Sequence, residues 1–181
     1  MKRIIGEYPI FAGETNAECT ATLCSPICPE HIDDFENLWR PAMKERVAQA
    51  TSISEVTAAN LEDAHWHWRE KQIDREHRLD WDSFVVECEG VAQGMMFVKT
   101  FGFARAVGQK RLPLIYIDLV SVAPWNRVGL TSTPKYKGIG RLLIGAGLSL
   151  SVHEGFGGRL GLHSLPHIWS PPFLQVTLLT K

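Results

Sequence analysis

The sequence predicts one α/β or α+β domain, and three observations carry that reading. Apolar residues recur with a period of two in some stretches and with helical period in others, and the two kinds follow one another along the chain. The length, 181 residues, suits one domain able to bury a sizeable core. No internal repeat, low-complexity tract or linker divides the chain, so residues 1–181 read as one unit.

The elements follow in order. ECTATLC (18–24) alternates and carries β-branched residues, which predicts a first strand. SPICP breaks it, and Pro29 suits the first position of a helix. Ile32, Phe35, Leu38, Trp39, Ala42, Met43 and Val47 then form one helical stripe. A second helical segment is predicted over 55–77, with Leu61, Ala64, His65, Trp68 and Gln72 on one side and Asn60 and Asp63 suited to cap a fresh start within it. The charge run REKQIDREHRLD reads as a solvated helix face.

The period then changes. SFVVECEGVAQGMMFVKTFG reads as strand, Glu89-Gly90 turn and strand. LPLIYIDLVSV (112–122) is apolar on both faces, as a central strand covered on two sides is. Pro124 ends it, and WNRVGLTSTP is a loop. Ile139, Leu142, Leu143, Ala146 and Leu150 give a strong helix stripe, EGFGG stops that helix, and RLGLHSL (159–165) reads as a last strand.

Composition narrows the function classes. A formal net charge of −1 supplies no global basic field for nucleic acid. No apolar run approaches the roughly 20 residues of a membrane-spanning helix. Glu7 and Pro9 keep the N-terminal apolar stretch too short for a signal peptide, so the cytoplasm is the expected compartment. Cys19, Cys24, Cys28 and Cys88 form no CxxC pair; a zinc site recruiting His31 is weighed against free, partly buried thiols, and the thiols are preferred, with no metal expected. His65 and His67 point to different sides of a helix and chelate poorly.

The stretch KYKGIGRLL concentrates the chemistry. The first amides of a helix have no internal partner and lie at the positive end of its dipole. Gly138 and Gly140 leave those amides bare, and Lys135, Lys137 and Arg141 add positive charge, which together suit phosphates. The nucleotide P-loop spacing is absent, and Leu143 stands where a dinucleotide-binding turn needs its third glycine.

VAP (122–124) at the end of a central strand, followed by KYKGIG at a helix start, resembles the acetyl-coenzyme A signature of the GCN5-related N-acetyltransferases. Lys135 replaces the usual glutamine or arginine of that turn. The resemblance runs from about Ser83 to Pro166 and more loosely over the N-terminal strand and helices. It implies an α+β, three-layer fold with a mixed central sheet flanked by helices and splayed central strands. It implies acetyl-CoA as co-substrate, with Val120, Ser121 and Val122 pairing with the pantetheine amides. The pyrophosphate would lie on the N–H groups of Lys137, Gly138, Ile139, Gly140 and Arg141.

Direct acetyl transfer to an amine needs a base and an acid. Asp118, a carboxylate inside an apolar run, is the first base candidate, weighed evenly against an ion pair there; Glu87 is a second. Tyr116, on the same strand face as Asp118, is the candidate proton donor. The family continues past this point with a helix bearing a tyrosine and two more strands. Here HIWSPPFLQVTLLTK follows, so segment 167–181 departs from the pattern, and His163 and His167 are weak substitutes for the missing acid. Closure of the sheet by a second subunit, a homodimer, is one reading of that departure. The acceptor is a small-molecule or peptide amine of unspecified kind, and the tryptophans Trp66, Trp68, Trp81 and Trp125 are as suited to core as to an acceptor cleft. The competing reading is a catalytically inactive relative that binds CoA or a protein partner.

Overall fold

The computed structural model describes residues 1–49, 62–128 and 130–162. Their elements are β1 (Arg3–Ala12), β2 (Glu18–Ser25), α1 (Pro29–Asp34), α2 (Arg40–Gln49), α3 (Trp68–Arg75), β3 (Trp81–Cys88), β4 (Val91–Phe103), β5 (Pro113–Val122), β6 (Tyr136–Lys137), α4 (Ile139–His153) and β7 (Leu160–Leu162). Among the described residues no helix is long and apolar enough to cross a membrane.

The strands form one sheet in the order β6-β1-β2-β3-β4-β5-β7. Neighbours pair antiparallel except β5 and β7, which run parallel, so the sheet is mixed. Helix α4 covers one face over a core of Ile10, Val86, Met96, Ile117, Ile139 and Leu143. Helices α1–α3 cover the other over Phe35, Trp39, Met43, Trp68, Met95 and Phe97. This is the three-layer α+β arrangement predicted from the sequence.

Three local departures have physical causes. β1 was not foreseen, because of its ten residues only Ile10 is buried and no alternation of apolar residues marks it; its backbone is recruited by pairing with β2. The single stripe from Ile32 to Val47 is broken by a π-helical segment, Phe35–Trp39. Pro41 has no N–H to donate to the preceding turn, and the wider turn, in which Arg40 N–H donates to the Phe35 carbonyl, absorbs that loss. The helix expected over 55–77 is a 3-10 turn, Glu62–His65, followed by α3; residues 55–61 of that expectation lie outside the described residues.

Strand β5 carries the feature that organises the site. Phe97 pairs with Leu119 but Val98 with Ile117, so Asp118 is an extra residue, a β-bulge. The bulge reverses the alternation. Ile115 and Ile117 face the α4 core, Leu119 faces the tryptophan-rich core, and Val120 and Val122 return to the α4 side. Gly94 lets α4 approach β4: a Cβ there would fall 2.6 Å from Ile139 Cγ2.

Candidate functional site

The glycine turn opens α4 as its sequence requires. Gly138 is the N-cap, with φ of 101°, a left-handed conformation that L side chains rarely adopt. The first helical bond runs from Leu142 N–H to the Gly138 carbonyl. The amides of Gly138, Ile139, Gly140 and Arg141 therefore precede the helical ladder, and among the described residues they meet no acceptor. A Cβ on Gly140 would find only Val122 Cγ1, 4.0 Å away, so the helix start lies beside the end of β5 with space between.

The charges around the turn are not equally available. Arg141 is exposed. Lys137 pairs with Phe11 in the β1–β6 ladder, and its Nζ is 3.4 Å from Asn16 Oδ1. Lys135 Nζ stands 3.5 Å from the Glu89 carboxylate and 4.9 Å from the centroid of the Tyr136 ring, so part of its charge is already met.

The edge of β5 beyond the bulge turns toward the same place. Ala123 N–H donates across to Gln93 on β4 at 2.9 Å. By strand alternation the backbone groups of Ser121 and Leu119 face β4, and those of Val120 and Val122 face the opposite edge. On that edge the described pairing with β7 ends at Ile117 opposite Leu162. Arg127 Nε donates to the Val122 carbonyl at 2.8 Å, taking one of the edge groups. The Ser121 hydroxyl donates to Asp63, whose carboxylate is held bidentately by Arg127, with Nη1 at 2.7 Å from Oδ1. Ser121, Asp63 and Arg127 are buried. Asp63 thus anchors the end of β5 rather than capping a helix.

At the bulge, Asp118 faces helix α3, where its Oδ2 accepts from Arg75 Nη2 at 2.8 Å. Of the two states weighed for Asp118, the ion pair is the one observed, and its carboxylate is not isolated in an apolar run. Burial first, and then the neighbouring Asp118 carboxylate, push the Tyr116 hydroxyl above its ordinary pKa, so it holds its proton at neutral pH.

Glu87, the second base candidate, lies away from this region in a buried cluster. It accepts from Lys2 Nζ at 2.8 Å and lies 2.7 Å from His31 Nε2. His31 Nδ1 accepts the Cys28 N–H, so Nε2 carries the proton given to Glu87. With both ring nitrogens engaged, His31 has no lone pair for a metal, although Cys28, Glu30 and His31 cluster closely. Burial raises the Glu87 pKa, but the bonds from Lys2 and His31 outweigh it and leave the carboxyl below its ordinary value. A lowered folded-state pKa stabilises the fold above the ordinary carboxylate value of about 4.3 and loses that contribution as pH falls through the folded value. Melting temperatures of the wild type and Glu87→Gln should therefore differ at pH 7 and converge below about pH 4. A gap that persists unchanged into acid would refute this ionised role. The four cysteines are free thiols, and burial pushes Cys24 up to about 11 and Cys88 up to about 12.

Arg75, Arg127 and Asp63 were not singled out from the sequence as site residues. Their partners stand 43 and 64 positions away, beyond any local pattern. His163, His167 and the segment 167–181 lie outside the described residues.

No family model and no curated protein matches the sequence. Solved structures do resemble the fold. An aminoglycoside N-acetyltransferase, AAC(6')-Iy, in complex with CoA is 15% identical, covers 89% of this chain and 94% of its own, and superposes with a TM-score of 0.50. Two others lie lower. PaiA N-acetyltransferase from Thermoplasma acidophilum in complex with coenzyme A is 13% identical over 82% of this chain and 81% of its own, at 0.49. A GCN5-related N-acetyltransferase from Ralstonia eutropha is 18% identical over 89% and 97%, at 0.47. A mixed seven-stranded sheet, a bulged central strand and a glycine turn opening the helix beside it, with this likeness across most of both chains, give the chain the fold of the GCN5-related N-acetyltransferases.

Proposed function

We propose that the protein is an acetyl-CoA-dependent N-acyltransferase that moves an acetyl group directly to a primary amine. The observation that carries this reading is the set of four consecutive unpartnered amides, Gly138 to Arg141, beside the free edge of β5. Such amides at the positive end of a helix dipole bind phosphate oxygens. Gly138, Ile139, Gly140 and Arg141 would hold the diphosphate, with Lys137 and the Arg141 side chain adding charge. The outward backbone groups of Val120 and Val122 would pair with the pantetheine amides as a short added strand. Bound there, the coenzyme supplies the acyl group as an activated thioester. Ser121 contributes by anchoring this edge to Asp63 and Arg127. Asp118 accepts a proton from the amine once Arg75 loosens, and Tyr116 holds a proton to give at its hydroxyl.

Isothermal titration with acetyl-CoA should give saturable heat, and mixing with a broad amine panel should release free thiol. Absence of heat at millimolar acetyl-CoA would overturn the reading. A second reading, coenzyme binding without transfer, draws on the Arg75–Asp118 ion pair, which keeps the carboxylate engaged. Heat without thiol release from any amine would favour it.

A further inference from the structure

We propose that the cavity between the start of α1, helix α3 and strand β3 receives the acceptor, and that it selects a small zwitterion, an α-amino acid, over a polycationic amine. The inference rests on the acyltransferase reading and adds the substrate class to it.

The cavity measures about 190 Å³. It is lined by Arg75, Glu76, Arg78, Trp81, Asp82 and Phe97, among others. At roughly 30 Å³ per water molecule it holds the equivalent of about six waters, room for an amino acid but not for an aminoglycoside. Its charged side chains number two of each sign, so the wall favours a ligand that is neutral overall. Two arginines in the wall oppose a polycation directly.

Arg75 is the centre of the arrangement. Its guanidinium lies 4.3 Å from the centroid of the Trp81 ring and 5.2 Å from that of Phe97. This stacking fixes the group in place while Nη1 donates to the Lys71 carbonyl and Nη2 to Asp118. Its Nε is buried and has no acceptor, and the same holds for Trp81 Nε1. Two neighbouring donors in one cavity wall, both without a partner, are an arrangement that folded proteins rarely leave unsatisfied. A carboxylate answers both, since it carries only acceptor positions and binds guanidinium well.

The amine has its own place. Arg75 and Asp118 stand 2.8 Å apart as a cation–anion pair. The carboxylate and ammonium of an α-amino acid form the complementary pair on adjoining atoms, so one ligand meets both protein charges at once. Its carboxylate competes with Asp118 for Arg75, and Asp118 is then released to face the amine. Arg75 is thus a positioning residue that couples acceptor recognition to the availability of the carboxylate.

The test is titration of the twenty L-amino acids, their carboxamides and sisomicin into protein saturated with CoA, after acetyl-CoA has been titrated alone. At least one amino acid should bind ten-fold or more tightly than its carboxamide and than sisomicin. Arg75→Gln should abolish that preference and leave acetyl-CoA affinity unchanged. Trp81→Phe keeps the ring and removes one unsatisfied donor, so it should fold at least as well and weaken the amino acid several-fold; it decides the matter if Arg75→Gln fails to fold. Equal binding of acid and carboxamide, preference for sisomicin, or acetyl-CoA heat with no amino acid bound would overturn the proposal. Amino-acid binding without acetyl-CoA heat would overturn the transferase reading alone.

Discussion

Gly140→Glu should weaken acetyl-CoA binding by roughly ten- to a hundred-fold, about 1.4–2.7 kcal/mol, while the melting temperature holds or rises. The two effects separate because the position is structurally permissive and electrostatically exacting. Gly140 lies in the first turn of α4, and a Cβ there would meet nothing nearer than Val122 Cγ1 at 4.0 Å. Replacing a helical glycine relieves about 0.5–1 kcal/mol of chain entropy, and a carboxylate in the first turn adds a few tenths more. The same carboxylate would occupy the space in front of the unpartnered amides and repel a diphosphate. Unit charges about 4 Å apart interact by about 4 kcal/mol at an effective dielectric of 20, and solvent at this exposed turn reduces that to the range expected. Calorimetric titration with a thermal melt on the same sample checks both arms. Gly138 is a poorer probe, because any side chain at a φ of 101° strains the backbone. Unchanged affinity in Gly140→Glu would mean that these amides do not hold the coenzyme.

Asp63→Ala should cost roughly 3–5 kcal/mol of stability, because it leaves the buried Arg127 guanidinium without its counter-charge. For a chain of this size that lowers the melting temperature by roughly 6–20 °C. The double variant Asp63→Leu, Arg127→Met should recover most of the loss, since a matched apolar pair avoids burying charge. Denaturant or thermal unfolding of the set checks this, and equal losses in the single and double variants would refute it. The functional effect differs between them. Arg127 also caps the Val122 carbonyl, so the double variant should restore stability more fully than coenzyme affinity.

How much was legible depended on the range over which each signal acts. The β3–β4 hairpin, β5 and α4 were readable because their apolar periods and the Glu89-Gly90 turn are local. The glycine turn was readable for the same reason, since bare amides at a helix start are fixed by a few neighbours. β1 carries no apolar alternation and is made a strand by its partner. The run REKQIDREHRLD reads as a solvated face, yet Arg75 within it is largely buried against Trp81 and Phe97. Charge alone could not reveal that, because the aromatic surface it covers comes from two strands further along the chain. Asp118 was found as a candidate but not its ion pair, which joins α3 to the bulge. The bulge itself has no composition cue in LPLIYIDLVSV; it exists only in the register between β4 and β5.

That one supernumerary residue makes the length of the strand as consequential as its composition. Deleting a residue at 118 would exchange inside and outside for the whole remainder of β5. Val120 and Val122 would turn toward the tryptophans, and the Ser121 hydroxyl would be pressed under α4, far from Asp63. Chains built on this plan therefore tolerate substitution within the segment more readily than any change in the count of its residues.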